Sequence, residues 1–275
     1  MAHFNPNPGI PPRLLATDLD GTFLPLPGNR DNLAALETFR RARAENRPGL
    51  IFATGRHLES VRAAMDEQAL PVPDWIICDV GTSIHRRNGG SFEPYVPFET
   101  HLAEQTRGRT RDNVETLLDG LDGLALQSSE RQQRFKISYL CDAADTERLA
   151  GAIQRRLQDA RLPYACLSSL DPFQGHGLLD VLPSGASKAA ALLWLATHAD
   201  FAPDEVVFSG DSGNDFAALV CGFRAILVAN AAPELAERAR RELAARGRAD
   251  RLFLATLPAT SGVLQGCRHF HLLDD

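Results

Sequence analysis

The sequence predicts an α/β fold, a doubly wound parallel sheet interrupted by a smaller inserted α+β module. Three features of the 275 residues carry that expectation. Short apolar runs alternate with helix-period segments over most of the chain, the pattern left by parallel strands covered with helices on both faces. Several runs stop at a glycine or an acid, and in such folds ligands bind outside the carboxyl ends of the strands. Between about residues 88 and 172 the texture changes to a hairpin, helices and an alternating strand.

In chain order, Leu14 to Asp18 is an apolar run just ahead of Gly21 and reads as the first buried strand. Asn32 to Glu45 follows as a helix, Leu50 to Ala53 as a strand, His57 to Gln68 as a helix and Trp75 to Asp79 as a strand. "HRRNGGSF", residues 85–92, turns on two glycines and predicts a hairpin. One polar helix is expected from about Ala103 to Leu118, then the alternating strand "FKISYL", a helix from Asp145 to Ala160 and the strand "YACLSS". The parallel sheet is expected to resume with Leu178 to Leu182, and then to continue through a helix from Lys188 to His198 and the strand Val206 to Ser209. After these come a short helix, Phe216 to Val220, the strand Ala225 to Val228, and a helix from Pro233 to Arg246. The expected division is a first core part, 1–87, an insertion, 88–172, and a second core part, 173–275. The alternative is one large irregular domain; the clean return of the strand-helix rhythm at Gly177 favours the insertion.

A chain of this length with 44% hydrophobic residues buries a large core, in one big domain or two moderate ones. Its formal charge of -6 argues against holding nucleic acid by general electrostatics, which relies on clustered positive charge. The opening "MAHFNPNPGIPPR" lacks a basic segment followed by an apolar stretch, and no apolar run is long enough to span a bilayer. A cytoplasmic location with no nucleic-acid or membrane partner is therefore expected. Cys78, Cys141, Cys166, Cys221 and Cys267 are scattered, odd in number and free of Cys-x-x-Cys pairing, which predicts reduced and mostly buried thiols.

Four clusters carry the chemistry. The first is Asp18-Leu19-Asp20-Gly21-Thr22, with two carboxylates at a strand end. At about 4 Å such a pair repels by about 4 kcal/mol at an effective dielectric of about 20. Either one acid carries a proton, or a cation lies between them, or both belong to a loose acidic turn. The second is "FATGR", Phe52 to Arg56, where Thr54 and Gly55 offer a hydroxyl and exposed amides to an anionic oxygen, as many strand-to-helix turns do. The third is Lys188, one of only two lysines, with Lys136, among 29 basic side chains. A compact ammonium in a tight site cannot be replaced by a planar guanidinium, although a genome favouring arginine codons explains the bias equally well. Lys188 also opens a helix, where the dipole disfavours a cation. The fourth is "FSGDSGNDF", residues 208–216, with Asp211 at a strand end and Asp215 four positions on, as ligand or as helix cap. All four fall at strand ends or strand-to-helix turns, on one expected sheet edge. Hard oxygen donors without histidine or cysteine pairing favour Mg²⁺, which accounts for the paired acids.

In that order, Asp18-x-Asp20-Gly-Thr, Thr54-Gly, Lys188 and Gly210-Asp211-Ser-Gly-Asn214-Asp215 resemble the motifs of the haloacid dehalogenase superfamily of phosphohydrolases, over nearly the whole chain. "ATGR", "PDWIICDVGTSIH", "FKISY", "LLDVLPSGASKAAAL" and "SGVLQGCRHF" are similar to the sucrose-phosphate phosphatases and to the phosphatase-like part of sucrose-phosphate synthases. The resemblance implies a Rossmann-like core with an inserted α+β cap domain that closes over the site. It implies that Asp18 attacks phosphorus to form an aspartyl-phosphate, and that Asp20 protonates the departing sugar oxygen and later takes a proton from water. Thr54, Gly55 and Lys188 would hold phosphoryl oxygens. Mg²⁺ would be held by Asp18, the Asp20 main-chain carbonyl and Asp211, with Asp215 as a further ligand or, beside Asn214, as a positioning group.

Lys136 is the candidate for sugar contact, against a solvent-facing strand lysine, and Gln133 is a lesser one, against a structural or exposed role. Arg56 either approaches the phosphate or caps its turn, while His85 and His176 read as structural or exposed. The implied activity is an Mg²⁺-dependent sucrose-6-phosphate phosphatase, with association to a sugar-phosphate synthase as an implied partnership. Mannosylfructose-phosphate and glucosylglycerol-phosphate are the alternative substrates. From other classes, a phospho-acceptor signalling module or a binding-only domain would share the acids and the lysine. Asp20, a second acid ready to activate water, favours the phosphatase.

Overall fold

The structure, a computed structural model, describes residues 10–45, 47–170 and 175–274. Residues 1–9, most of the opening "MAHFNPNPGIPPR", and the expected junction at 172–173 lie outside the described residues. Strand β1, Leu14–Thr17, is buried along its whole length, as a strand covered on both faces must be. Helix α1, Arg30–Ala44, begins where the Asn29 side chain accepts the Asn32 N–H. Next come β2, Gly49–Ala53, α2, Leu58–Gln68, and β3, Trp75–Cys78. The predicted hairpin forms β4, Ser83–Asn88, and β5, Ser91–Pro94. Helices α3, Val96–Gln105, and α4, Arg111–Leu118, precede β6, Ala125–Leu126, and β7, Ile137–Cys141. Helix α5, Thr146–Asp159, leads to β8, Tyr164–Leu170, and β9, Gly177–Pro183. The later elements are α6, Lys188–His198, β10, Val206–Gly210, α7, Phe216–Leu219, β11, Arg224–Leu227, α8, Pro233–Ala245, β12, Leu252–Leu254, and α9, Ala259–His269.

The chain divides into two compact units. The first takes the described residues up to Gly81, His85–Glu93, and those from Ser187 on. Its eight-stranded sheet runs β12-β11-β10-β1-β2-β3-β4-β5, parallel from β12 through β3. Leu15, Leu50, Phe52, Val207 and Ile226 pack with Leu36 and Phe39 of α1, Val61 of α2 and Val263 of α9 in one core. The alternate residues Leu14, Ala16, Ile51 and Phe208 are buried as well, as the period of two requires when both faces are covered. The second unit takes Thr82–Ile84 and Pro94–Ala186. Its antiparallel sheet, in the order β6-β7-β9-β8, packs Ile137, Tyr139, Tyr164, Leu179 and Val181 with Val114, Leu118, Leu149, Ile153 and Leu157 of α4 and α5.

Four expectations need correction. Leu178 to Leu182 does not rejoin the parallel sheet, because β9 pairs antiparallel with both β7 and β8. The second unit therefore extends to Ala186 rather than to 172, and the hairpin joins the large sheet, so the expected boundaries at 88 and 173 both move. The single helix from Ala103 to Leu118 is two helices. Arg107 at φ 52 and Gly108 at φ 70 break it, and Thr110 recaps it against Asn113. Strand β12 and helix α9 went unread, the first because it is only three residues long. All five cysteines are free, and Cys78, Cys141 and Cys267 are buried. Among the described residues no helix is long and apolar enough to cross a membrane.

Candidate active site

The adjacent strands β10, β1 and β2 end in register, with Thr17 opposite both Ser209 and Phe52. Asp18, Asp211 and Thr54 are the residues that leave those ends. Asp18 is fixed by its main chain: its N–H donates to Ser209 O at 2.9 Å, and the Thr17 hydroxyl donates to its carbonyl at 2.8 Å. Asp20 and Gly21 then occupy the centre of a type II turn, at φ/ψ of -69/124 and 72/-8, a geometry that favours glycine at the second position. Space requires glycine too, since a Cβ on Gly21 would lie 2.5 Å from Asp211 Oδ2. Thr22 donates its hydroxyl to Asp211 Oδ1 at 2.8 Å, which joins the first cluster to the fourth.

Lys188 begins α6 after Ser187, whose hydroxyl accepts the Ala190 N–H. Its side chain is 1% exposed. Its Nζ reaches Asp18 Oδ1 at 2.8 Å, Asp215 Oδ1 at 2.9 Å and Asn214 Oδ1 at 3.0 Å, three acceptors for the three hydrogens of an ammonium. Asp215, fully buried, accepts the Asp211 N–H, the Ser212 N–H and the Ser212 hydroxyl on Oδ2, all at 3.2 Å, and so closes the loop that carries Asp211. One cation thus faces two buried acids, with a third beside them. Burial, reinforced by the Asp215 charge and opposed by Lys188, pushes the Asp18 carboxyl up to about 7. Burial also raises Asp211. Burial pulls the Lys188 ammonium down, but Asp18 and Asp215 together outweigh it and the net direction is up.

Oxygens of Asp18, Asp211 and Asp215 lie within 4.8 Å of one another. Clustered hard donors, surplus negative charge and a carboxyl pushed toward its neutral form are what a small divalent cation would relieve, so the residues fit Mg²⁺. Asp18 and Asp211 are the better placed of the three, because both oxygens of Asp215 already accept hydrogen bonds.

Asp20 is not one of the three clustered acids. Arg56 grips it with a two-pronged pair, Nη2–Oδ1 at 2.6 Å and Nε–Oδ2 at 2.8 Å, while its Nη1 leans on Ser60 Oγ at 3.3 Å. Arg56 is thus a partner of Asp20, in addition to closing the turn by donating its N–H to Thr54 Oγ1. Thr54 is buried and Gly55 exposed beside it. Asn214, which is exposed, accepts from Lys188 Nζ and from the Ser212 hydroxyl on its Oδ1, both at 3.0 Å.

Lys136 and Gln133 belong to the second unit, where Lys136 Nζ is 3.6 Å from Asp180 Oδ1 and the two residues bridge a turn. His85 is half-buried and His176 exposed. Two residues went unread: Ser212, and Asn230, which donates to Gly21 O at 2.8 Å. The strand-end pattern that exposed Asp18, Thr54 and Asp211 applies equally to "VAN" at 228–230, just beyond β11.

Residues 11–271 match the family model for sucrose-6F-phosphate phosphohydrolase. The chain belongs to that family. Mannosylfructose-phosphate phosphatase of Agrobacterium fabrum is 33% identical over 268 residues, covering 95% of this chain and 98% of its own. A HAD-like hydrolase of Nitrosococcus oceani is 34% identical over 267 residues, covering 94% and 71%. The solved sucrose-phosphatase of Synechocystis, in complex with sucrose and phosphate, superposes with a TM-score of 0.74 at 26% identity, covering 95% of this chain and 99% of that one. Within the sucrose-6F-phosphate phosphohydrolase family the chain is a phosphatase of the haloacid dehalogenase type, related to enzymes named for sugar phosphates.

Proposed function

We propose that the protein hydrolyses the phosphate monoester of a disaccharide, foremost sucrose 6-phosphate, through an aspartyl-phosphate on Asp18. The observation that carries this reading is the buried junction in which Lys188 Nζ bridges Asp18 and Asp215 at 2.8 and 2.9 Å beside Asp211. A carboxylate held there by an ammonium is aimed rather than loose, and its free oxygen is the nucleophile. The Thr54 hydroxyl and the Gly55 amide bind phosphoryl oxygens, and Lys188 offsets charge as an anionic nucleophile meets an anionic ester. Asp20 gives the leaving sugar oxygen its proton and then takes one from the water that cleaves the acyl-phosphate. Arg56 sets the direction of that carboxyl.

Asp18, Asp211 and the Asp20 main-chain carbonyl would hold Mg²⁺, which supplies charge neutralisation to the phosphoryl group. Asp215 and Asn214 position Lys188. Lys136 is the candidate sugar contact in this reading.

Mannosylfructose-phosphate is the second reading, favoured by the Agrobacterium relative that is matched over nearly its full length. A panel of sucrose 6-phosphate, mannosylfructose-phosphate, glucosylglycerol-phosphate and p-nitrophenyl phosphate, assayed for phosphate release with Mg²⁺, ranks them. The expected order places sucrose 6-phosphate first by kcat/KM. No preference for it defeats the narrow claim, and no release from any ester defeats the whole reading.

A further inference from the structure

We infer that Asn230 is a positioning residue for the Gly21–Thr22 peptide, bracing the turn that carries Asp20 against the first turn of α9; this rests on the reading of Asp20 as proton donor. The Asn230 side chain spans the gap with both ends of one amide. Its Nδ2 donates to Gly21 O at 2.8 Å, and its Oδ1 accepts the Ala259 N–H at 2.9 Å. The orientation is unambiguous, because a carbonyl can only accept and a main-chain N–H can only donate.

The far end of the brace is firmly anchored. Ala259 has no exposed surface and stands at φ 45, a conformation that costs a non-glycine residue energy and persists only where neighbours enforce it. Asn32 of α1 donates to Pro258 O at 3.0 Å and to Ser261 Oγ at 2.7 Å, and Ala229 N–H donates to Leu257 O at 3.1 Å. A Cβ on Gly262 would lie 2.2 Å from Leu257 O, and one on Gly266 2.4 Å from Ile226 Cγ1, so α9 lies as close to its neighbours as a backbone can. The loop after β1 is consequently held at three successive residues: Gly21 by Asn230, Thr22 by Asp211, and Phe23 by the Thr260 hydroxyl at 2.9 Å. The stretch "SGVLQGCRHF", which no catalytic role absorbed, forms the helix that supplies this anchor.

The test separates the two ends of the amide. Asn230→Asp keeps an acceptor for the Ala259 N–H, and a carboxylate favours a helix start, but it has no donor for Gly21. Its Tm is expected within about 3 °C of wild type. Its kcat on sucrose 6-phosphate is expected to fall between about 10-fold and about 100-fold with KM nearly unchanged. On p-nitrophenyl phosphate, whose leaving group departs without needing a proton, the loss is expected to be smaller. Asn230→Ala breaks both bonds and should lower Tm as well. Wild-type turnover of the sugar phosphate by Asn230→Asp, or equal losses on both esters, overturns the proposal. A wild-type protein inactive on both esters overturns the reading of the site, and the proposal with it.

Discussion

Asp18 carries two burdens, a buried charge and a reacting atom, and each can be measured. The unfolded chain releases its proton near the ordinary value of 3.8, whereas the folded chain, with no cation bound, keeps it up to about 7. Between those values the folded state binds the extra proton, so the stability of wild type relative to Asp18→Asn is greatest at the acid end and is lost as pH rises from about 4 to about 7. Denaturation of both proteins in EDTA across that range measures the slope; a flat difference would show that Asp18 is not held neutral. Asp18→Asn is also expected to abolish turnover while the fold persists, and residual wild-type rates would remove it as nucleophile. At Lys188 the reasoning is steric. Three hydrogens meet three acceptors in a site with 1% exposure, and a guanidinium cannot reproduce that geometry. Lys188→Arg should therefore lose about 100-fold or more in kcat, much as Lys188→Ala does, and a near-normal arginine variant would refute the argument.

Elements bring these residues together through close approach at glycine. Gly210 ends β10, and a Cβ there would lie 2.6 Å from Asp215 Cβ, an atom tied to the backbone and unable to swing aside. Gly210→Ala should thus displace Asp215 from Lys188 and cost about 1–3 kcal/mol, read as a lower urea midpoint together with reduced kcat. An unchanged midpoint would mean that the loop relaxes freely. Gly81, at φ 95, lies so close to Ser187 that a Cβ would come within 2.2 Å of its carbonyl oxygen, which sets where α6 begins and hence where Lys188 stands. Much at this scale was legible in advance. Helix α6 spans the predicted residues because Ser187 caps it and the polar turn before it stops the strand. The predicted helix over 103–118 failed because no apolar residue falls between Ala103 and Val114 to carry a period, and the break lies at Arg107 and Gly108, where the backbone turns left-handed.

For the whole molecule, the surplus of negative charge in the first unit ties metal binding to folding. A ligand that binds only the native state at about 100 times its Kd stabilises it by about 2.7 kcal/mol. Saturating Mg²⁺ is expected to raise Tm by several degrees, EDTA to reverse the shift, and Asp211→Asn to diminish it. Calorimetry with and without Mg²⁺ checks this, and an unchanged Tm would remove the cation from the site. Strand β9 belongs to this scale as well. Its alternation is equally compatible with the parallel sheet and with the antiparallel one, and only its pairing with β7 and β8 assigns it.

The sequence by itself determined the chemical inventory: the acids, the hydroxyl and the scarce lysine, each at a strand end or helix start. Those positions are local, fixed by the break between an apolar run and a turn, and so a linear reading reaches them. The tertiary structure alone decided the partners. That Arg56 takes Asp20, that Lys188 is shared by Asp18, Asn214 and Asp215, and that Asn230 holds Gly21 all depend on residues far apart in the chain. Hydrogen bonds and ion pairs act over a few ångströms of space, and which groups come within that reach is set by the packing of the sheet and its helices rather than by any spacing along the chain.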